Sequence, residues 1–149
     1  MIAIDTNLLV YGHRSAVPEH KRAQAALERV AGAPSGWGVA LPCVAEFWTV
    51  VTHPSAAGRP STPEEAKGFL ECLRRDANMQ IFVPGRGMGA RLLNVAERQS
   101  VSGPRIFDLQ IGLIAVEAGA TEIWTYDTRF LAPAGLRVVD PLQQVVGAP

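Results

Sequence analysis

The 149-residue sequence predicts an α/β domain with a central, mostly parallel sheet and helices on both faces. Short apolar runs typical of buried strands alternate along the chain with longer segments of helical spacing. Hydrophobic residues make up 48% of the chain, which is enough to bury a core without disulfides. Since no repeat or low-complexity segment divides the sequence, we expect one domain over 1–149, with a core at about 1–140 and a short C-terminal tail.

The first third of the chain predicts two strands, each followed by a helix. The apolar run Met1 to Asp5 ends in Asp-Thr-Asn, residue types that favour helix starts. Pro18 to Val30 has the apolar spacing of an amphipathic helix, and the following glycines end it. Trp37 to Leu41 is predicted to be the second strand. Pro42 suits the first turn of a helix that continues to Val51.

The rest of the chain continues the alternation. Thr62, Pro63 and two glutamates predict a capped helix that ends near Asp76. The elements expected after it are a strand at Gln80 to Val83, helices at Met88 to Arg98 and Ile106 to Ala118, and strands at Thr121 to Tyr126 and Arg137 to Val139.

Composition and charge exclude several classes of protein. The 14 basic and 14 acidic residues cancel, so no overall basic field predicts a nucleic-acid partner. No apolar run is long enough to cross a membrane, and Asp5 interrupts the apolar start that a signal peptide would need. Cys43 and Cys72 lack metal-ligand spacing and are expected to be buried free thiols. These features predict a cytoplasmic protein without a membrane association.

Four carboxylates, those of Asp5, Glu46, Asp108 and Asp127, lie in or beside strongly apolar segments. A lone charge is costly to bury, so such groups are usually paired with a cation or a metal. Asp5 and Asp127 are expected at the carboxyl edge of the sheet, where sites form in parallel α/β folds. Each acid also has a simpler explanation, as a cap, an exposed side chain or a complement to a helix dipole. Their joint placement favours a site for a divalent cation.

The order and spacing of these acids resemble the PIN domains, and among them the ribonuclease toxins of toxin-antitoxin pairs, the VapC type. The resemblance extends from Met1 to about Val139, and its second motif is similar to that of the subgroup abundant in mycobacteria. The sequences that carry it are Ile4-Asp5-Thr6-Asn7 with Leu8, Leu9 and Tyr11; Ala45-Glu46-Phe47 followed by Val50-Val51-Thr52-His53-Pro54; Asp108; and Thr125-Tyr126-Asp127 with Phe130.

The resemblance implies a Mg²⁺- or Mn²⁺-dependent endoribonuclease. Asp5 and Asp108 would be the principal metal ligands, and Glu46 and Asp127 would complete the site directly or through water. The side chains implied to orient these carboxylates are those of Thr6, Asn7 and Thr125. The reaction would be hydrolysis of an RNA phosphodiester, leaving a 3′-hydroxyl and a 5′-phosphate.

The resemblance also implies partners. An RNA substrate would be cleaved, a cognate antitoxin would inhibit the protein, and a homodimer is expected. Arg14, Arg105 and Arg129 lie near the acidic segments in sequence and are candidates for contacts with RNA phosphates. Exposed apolar residues of the 62–75 helix, or near Phe47 and Trp48, are expected to bind the antitoxin. Trp37, Trp48 and Trp124 are expected in the core or at an interface, with the core favoured; the alternative is that one exposed ring stacks on an RNA base. His13, His20 and His53 are expected in structural or exposed positions.

Two other enzyme classes fit the sequence poorly. A haloacid-dehalogenase-type phosphohydrolase needs a second aspartate where this chain has Asn7, and a phosphorelay receiver needs paired acids after its first strand and a late lysine. The remaining alternative is a non-catalytic or regulatory RNA-binding PIN module. The complete set of four acids argues against it.

Overall fold

The computed structural model describes residues 1–143 and contains one five-stranded sheet, in which all strand pairs are parallel. The strand order is β3-β2-β1-β4-β5, so the first strand lies at the centre. This confirms the predicted α/β class; the part of the predicted C-terminal tail at 144–149 lies outside the described residues. The strands are β1 (Ile2–Ile4), β2 (Trp37–Ala40), β3 (Gln80–Phe82), β4 (Glu122–Trp124) and β5 (Arg137–Val139).

The described residues form six helices, and each predicted helix is present with its ends shifted by two residues or fewer. The helix that follows Asp5 also forms as the capping residues suggest. Thr62 caps the fourth helix as predicted, because its side chain accepts a hydrogen bond from the Glu65 amide at 3.1 Å. The helices are α1 (Thr6–His13), α2 (His20–Ala31), α3 (Leu41–Thr52), α4 (Pro63–Asp76), α5 (Met88–Arg98) and α6 (Arg105–Glu117).

The burial of β2 shows that both faces of the sheet are covered. All four residues of β2 are buried, and successive side chains of a strand point to opposite faces. The buried hydrophobic residues form one core cluster that includes parts of all six helices. Within residues 1–143 no helix combines the length and the apolar character needed to cross a membrane.

Two expectations about buried side chains need correction. Cys43 is buried as predicted, but Cys72 is exposed because it lies on the outer face of α4, where its thiol contacts Asp76. Trp37 is fully buried, and its indole donates to the Ala77 carbonyl. Trp48 is 38% exposed and therefore lies outside the core, whereas Trp124 is partly buried and packs against it as expected.

The strand order brings distant acidic segments together. Since β1 and β4 are neighbours in register, Asp5 after β1 and Thr125 to Asp127 after β4 leave the sheet at the same edge. Helix α3 contacts both α1 and α6. Glu46 on α3 and Asp108 on α6 can therefore reach the end of β1.

Candidate active site

Asp5 lies where the central strand ends and α1 begins. Its backbone is extended, and one carboxylate oxygen accepts a hydrogen bond from the Thr6 amide at 2.8 Å, which caps the helix. The residue is 8% exposed. The capping interpretation from the sequence is thus correct for Asp5, but it accounts for only one of the two carboxylate oxygens.

The second oxygen of Asp5 is held by one side chain from α1 and one from the segment after β4. The hydroxyl of Thr125 donates to it at 2.7 Å, and the Asn7 amide nitrogen lies 3.3 Å from it. The Thr125 hydroxyl also accepts hydrogen bonds from the Asn7 side chain, at 2.9 Å, and from the Asp127 amide, at 3.0 Å. Thr125 is completely buried. These contacts lock the Asp5 carboxylate in one orientation.

Glu46 comes to the same place through Thr6. The Thr6 hydroxyl donates to a Glu46 carboxylate oxygen at 2.6 Å. Glu46 is half-buried on α3, a helix whose remaining side chains are almost all apolar. The isolated glutamate in the sequence is therefore turned toward α1 and Asp5.

Asp108 lies in the first turn of α6, and one of its oxygens accepts from the Leu131 amide at 3.3 Å. It lines a cavity of about 320 Å³ together with Asp5 and Glu46. It also lines a second cavity, of about 780 Å³, on the side of Asp127. Asp108 therefore joins two adjacent cavities.

Asp127 occupies a different position from the other three acids. It is exposed, lines only the second of the two cavities, and accepts from the Arg129 amide at 2.9 Å. The Arg129 side chain also approaches it at 3.9 Å. The structure thus brings Asp5, Glu46 and Asp108 into one cavity and places Asp127 beside Asp108, rather than gathering four acids at one point.

The electrostatics agree with this grouping. Burial is the main cause that raises the pKa of Asp5 from 3.8 to about 6; hydrogen bonds from Thr125 and Thr6 oppose the shift, and the charges of Glu46 and Asp108 add to it. Burial also raises the pKa of Asp108, with Asp127 contributing in the same direction. The Leu131 amide and the charge of Arg105 oppose the shift in the pKa of Asp108.

The donor chemistry of this cavity fits a hard divalent cation. Within residues 1–143 no ion pair involves Asp5, Glu46 or Asp108. The same part of the chain holds no group of three or more His, Cys, Asp or Glu side chains placed to hold a metal as they stand. Protein donors occupy both Asp5 oxygens and one Glu46 oxygen. The residue types therefore suit the ion, although the three side chains are not arranged as a complete metal site within residues 1–143.

The three candidate arginines have different environments. Arg14 is buried, and its guanidinium donates to the backbone carbonyls of Val51, at 2.7 Å, and Arg59. It is therefore a structural residue rather than a phosphate contact. Arg105 and Arg129 are exposed and line the second cavity with Asp108 and Asp127.

Sequence reasoning missed the apolar and aromatic wall of the acidic cavity. Val10 and Tyr11, which line this cavity, follow Asn7 by three and four residues, the spacing that puts side chains on one face of a helix. This spacing was the signal in the sequence that could have predicted both residues as part of the site. The wall consists of Val10, Tyr11, Val50 and Ile111.

The fold, the acid positions and the comparison with known families give the class of the protein. The PIN domain family matches residues 2–136, and the chain belongs to this family. Among its relatives is ribonuclease VapC48 of Mycobacterium tuberculosis, which is 26% identical over 137 residues, covering 92% of this chain and 94% of the relative. Ribonuclease VapC43 of the same organism is 28% identical over 121 residues, covering 81% and 82% respectively.

A solved structure supports the fold. The crystal structure of Mycobacterium tuberculosis VapC20, described as a toxin that cleaves the sarcin-ricin loop, superposes with a TM-score of 0.65. The match covers 87% of this chain and 92% of that protein at 13% sequence identity. At that identity the likeness concerns the fold alone.

Proposed function

We propose that this protein is a metal-dependent endoribonuclease of the VapC type that acts as the toxin of a toxin-antitoxin pair. The observation that carries the proposal is the cavity lined by Asp5, Glu46 and Asp108, three acids that form no ion pair with a basic side chain within residues 1–143. Membership of the PIN family and the ribonuclease names of relatives that align along most of the chain support it.

The proposed cofactor is Mg²⁺ or Mn²⁺, since both ions prefer carboxylate oxygens and water. Asp5 and Asp108 would be its main ligands, with Glu46 and Asp127 joining directly or through water. When bound, the ion would activate water and offset the charge on the phosphate. The role of Thr6, Asn7 and Thr125 would be to hold the carboxylates of Asp5 and Glu46 in place through the hydrogen bonds described above.

The reaction proposed is hydrolysis at phosphorus. A water oxygen forms the new bond to phosphorus, and the bond to the 3′-oxygen breaks. The proton lost by water leaves through the site, and the 3′-oxygen takes up a proton, so the products carry a 5′-phosphate and a 3′-hydroxyl. Because Asp108 joins both cavities, the scissile phosphate would lie beside it, with the RNA chain passing into both.

Arg105 and Arg129 are proposed to hold RNA phosphates in the second cavity. Each contact with a single-stranded phosphate contributes roughly −0.7 to the slope of log affinity against log salt. Replacing both arginines by Gln should therefore make this slope shallower by about 1.4. Fluorescence anisotropy of a labelled RNA at several salt concentrations measures it, and an unchanged slope removes the arginines from the interface.

The proposed partners are an RNA substrate, an antitoxin and a second copy of the chain, and the proposed location is the cytoplasm. Phe47 is fully buried and cannot contact a partner, whereas Trp48 is exposed. Helix α4 buries Ala66 and Leu70, and Phe69 is partly buried on the same helix. Mass measurement of the purified chain, alone and with the product of the adjacent upstream gene, tests both associations; a monomer in each case contradicts them.

Cleavage by the purified chain tests the central proposal. Bacterial total RNA is incubated with Mg²⁺, with Mn²⁺ or with EDTA, and the 5′-phosphorylated ends are sequenced. The wild type should cut only with metal, while Asp5→Asn and Asp108→Asn should not cut. Glu97→Gln, which changes an exposed acid on α5 outside both cavities, is the matched control and should cut normally.

Growth arrest on expression in a bacterium provides a second measurement. The wild type should arrest growth, and Asp5→Asn should relieve the arrest. Cleavage and toxicity that are equal in the wild type and in both active-site variants contradict the nuclease proposal. RNA binding without metal-dependent cleavage would favour the non-catalytic RNA-binding module instead.

A further inference from the structure

We propose that Tyr126, with Tyr11 packed against it, forms a stacking surface for an RNA base next to the phosphate bound at the acidic cavity. The inference rests on the proposed function and extends it to the residues that contact the substrate base. Neither tyrosine was a candidate in the sequence-based site.

The backbone of Tyr126 is fixed by the active-site hydrogen bonds. Its amide donates to the side-chain oxygen of Asn7 at 3.1 Å, and the same Asn7 side chain bonds the Thr125 hydroxyl that holds Asp5. Tyr126 also lies between Thr125 and Asp127 in the chain. Its position relative to the acids is therefore set by the contacts that orient Asp5.

The Tyr126 ring packs against the ring of Tyr11, which lines the acidic cavity. Tyr11 is partly buried and lines the acidic cavity, whereas Tyr126 is 40% exposed. The two ring centroids are 5.7 Å apart, with an angle of 82° between the planes. This edge-to-face contact supports the Tyr126 ring while leaving part of it open to solvent.

The chemistry of the substrate explains why a ring is useful here. Bases of single-stranded RNA that a protein splays apart lose their stacking on one another. An aromatic side chain replaces that lost stacking, and it accepts any base because every base has a π face. Tyrosine can thus stabilise the bound strand without reading its sequence strictly.

Two other aromatic residues of the described chain are large and exposed, and their positions differ. Trp48 lines a separate apolar cavity with Leu41, Pro84 and Ile114. Phe107 is 55% exposed and precedes Asp108, but its ring packs against no other aromatic ring within residues 1–143. Phe107 is therefore the matched comparison for Tyr126.

Binding of defined oligonucleotides tests the inference. The probes are a fluorescein-labelled deca-adenylate and a labelled abasic ribose-phosphate chain of the same length, measured by anisotropy with Mg²⁺. All variants carry Glu46→Gln, which should prevent cleavage while keeping Asp5 and Asp108, the two proposed principal metal ligands, and thermal unfolding verifies that each variant is folded. Tyr126→Leu keeps an apolar side chain and removes the ring, Tyr126→Phe keeps the ring, and Phe107→Leu removes the comparison ring.

We expect Tyr126→Leu to weaken binding of deca-adenylate roughly tenfold, and Tyr126→Phe to restore most of the loss. On the abasic chain Tyr126→Leu should bind as tightly as its parent. Unchanged affinity of Tyr126→Leu for deca-adenylate, an equal loss on the abasic chain, or a loss caused only by Phe107→Leu each overturns the inference.

RNA cleavage tests the proposed nuclease function separately from the binding measurements that test the stacking surface. The wild type is assayed in parallel for metal-dependent cleavage of total RNA. Cleavage together with equal binding by all Tyr126 variants overturns the stacking surface and keeps the nuclease. Absence of cleavage together with ring-dependent binding overturns the nuclease and keeps the stacking surface.

Discussion

Asp5 combines two roles that its sequence context suggested separately. One carboxylate oxygen caps α1, and the other is held by Thr125 and Asn7, so the charge is buried at the edge of a cavity that also contains Glu46 and Asp108. Burial raises the pKa of Asp5 to about 6, although the hydrogen bonds from Thr125 and Thr6 lower it. The protein holds this carboxylate in one orientation, and a cation beside it would favour its charged form.

The raised pKa of Asp5 predicts how the metal-free protein responds to pH. Between pH about 4 and 6 the folded state holds a proton on Asp5 that the unfolded state has lost, so this group's contribution to stability falls as pH rises and stays low above pH 6. Relative to the wild type, Asp5→Asn should therefore gain stability between pH 4 and 7, by at most about 3 kcal/mol. Urea unfolding in EDTA measures this difference.

The matched control for this titration is Glu97→Gln. Its side chain is exposed, so its stability relative to the wild type should change little over the same range. If the difference in free energy of unfolding between Asp5→Asn and the wild type does not depend on pH, the pKa of Asp5 is not raised by burial.

Thr125 offers a second prediction at the scale of one side chain. Thr125→Val replaces the hydroxyl by a methyl of similar size and leaves Asp5, Asn7 and the Asp127 amide without their shared partner. We expect a loss of about 1–3 kcal/mol in the free energy of unfolding and a roughly 10- to 100-fold lower cleavage rate. Urea unfolding and the RNA cleavage assay measure the two effects.

Thr125→Ser keeps the hydroxyl and should retain most of the activity. Full cleavage by the Val variant would show that the orientation of Asp5 does not depend on this group.

At the scale of elements, local chemistry predicted most boundaries. Thr62 and Pro63 begin α4, and Pro42 lies in the first turn of α3, because capping and proline geometry act within a few residues. The strand predicted at Thr121 to Tyr126 is shorter in the structure, Glu122–Trp124. The last two residues of the predicted strand form hydrogen bonds in the candidate site instead. The Thr125 hydroxyl donates to Asp5, and the Tyr126 amide donates to the Asn7 side chain.

Arg14 shows why proximity in sequence was misleading for the basic residues. It follows α1 and therefore lies near Asp5 in sequence, but its guanidinium turns away to the end of α3 and to the segment before α4. A buried guanidinium can satisfy several carbonyls at once. It joins three parts of the chain without taking part in the site.

Substitution of Arg14 should therefore affect folding rather than RNA binding. Arg14→Met removes the donors to the Val51 and Arg59 carbonyls, and we expect a loss of about 2 kcal/mol in the free energy of unfolding. Arg14→Lys keeps the charge but lacks the forked guanidinium donors, so its free energy of unfolding should lie between those of the wild type and Arg14→Met. Urea unfolding and RNA anisotropy are measured together; weaker RNA binding at unchanged stability would restore Arg14 as a phosphate contact.

At the scale of the whole molecule, net charge and local charge give different information. The 14 basic and 14 acidic residues cancel, so composition predicts no affinity for RNA. The fold nevertheless concentrates carboxylates at one edge of the sheet and places Arg105 and Arg129 beside them. Recognition of RNA would therefore depend on a metal and a few local arginines rather than on a general basic field.

This concentration of like charge predicts that divalent metal stabilises the fold. A ligand at about one hundred times its dissociation constant adds about 2.7 kcal/mol to the stability of the state that binds it. For a domain of this size, that corresponds to a melting temperature roughly 5–10 °C higher. Calorimetry with and without millimolar Mn²⁺ measures the shift.

The double variant Asp5→Asn, Asp108→Asn should lose the stabilisation by Mn²⁺, and Glu97→Gln should keep it. An equal rise in melting temperature in the double variant would place the bound metal elsewhere on the protein.

The sequence by itself determined the α/β class and the order of elements and proposed four candidate acids, because these depend on periodicity, capping and the cost of isolated charges in apolar segments. Only the tertiary structure decided the grouping: Asp5, Glu46 and Asp108 share one cavity, Asp127 lines the next, Arg14 is structural, and Tyr11 meets Tyr126. Most of these contacts join residues that are distant in the sequence, and Tyr11 and Tyr126 are 115 positions apart. They follow from strand order and helix packing, which no local pattern encodes.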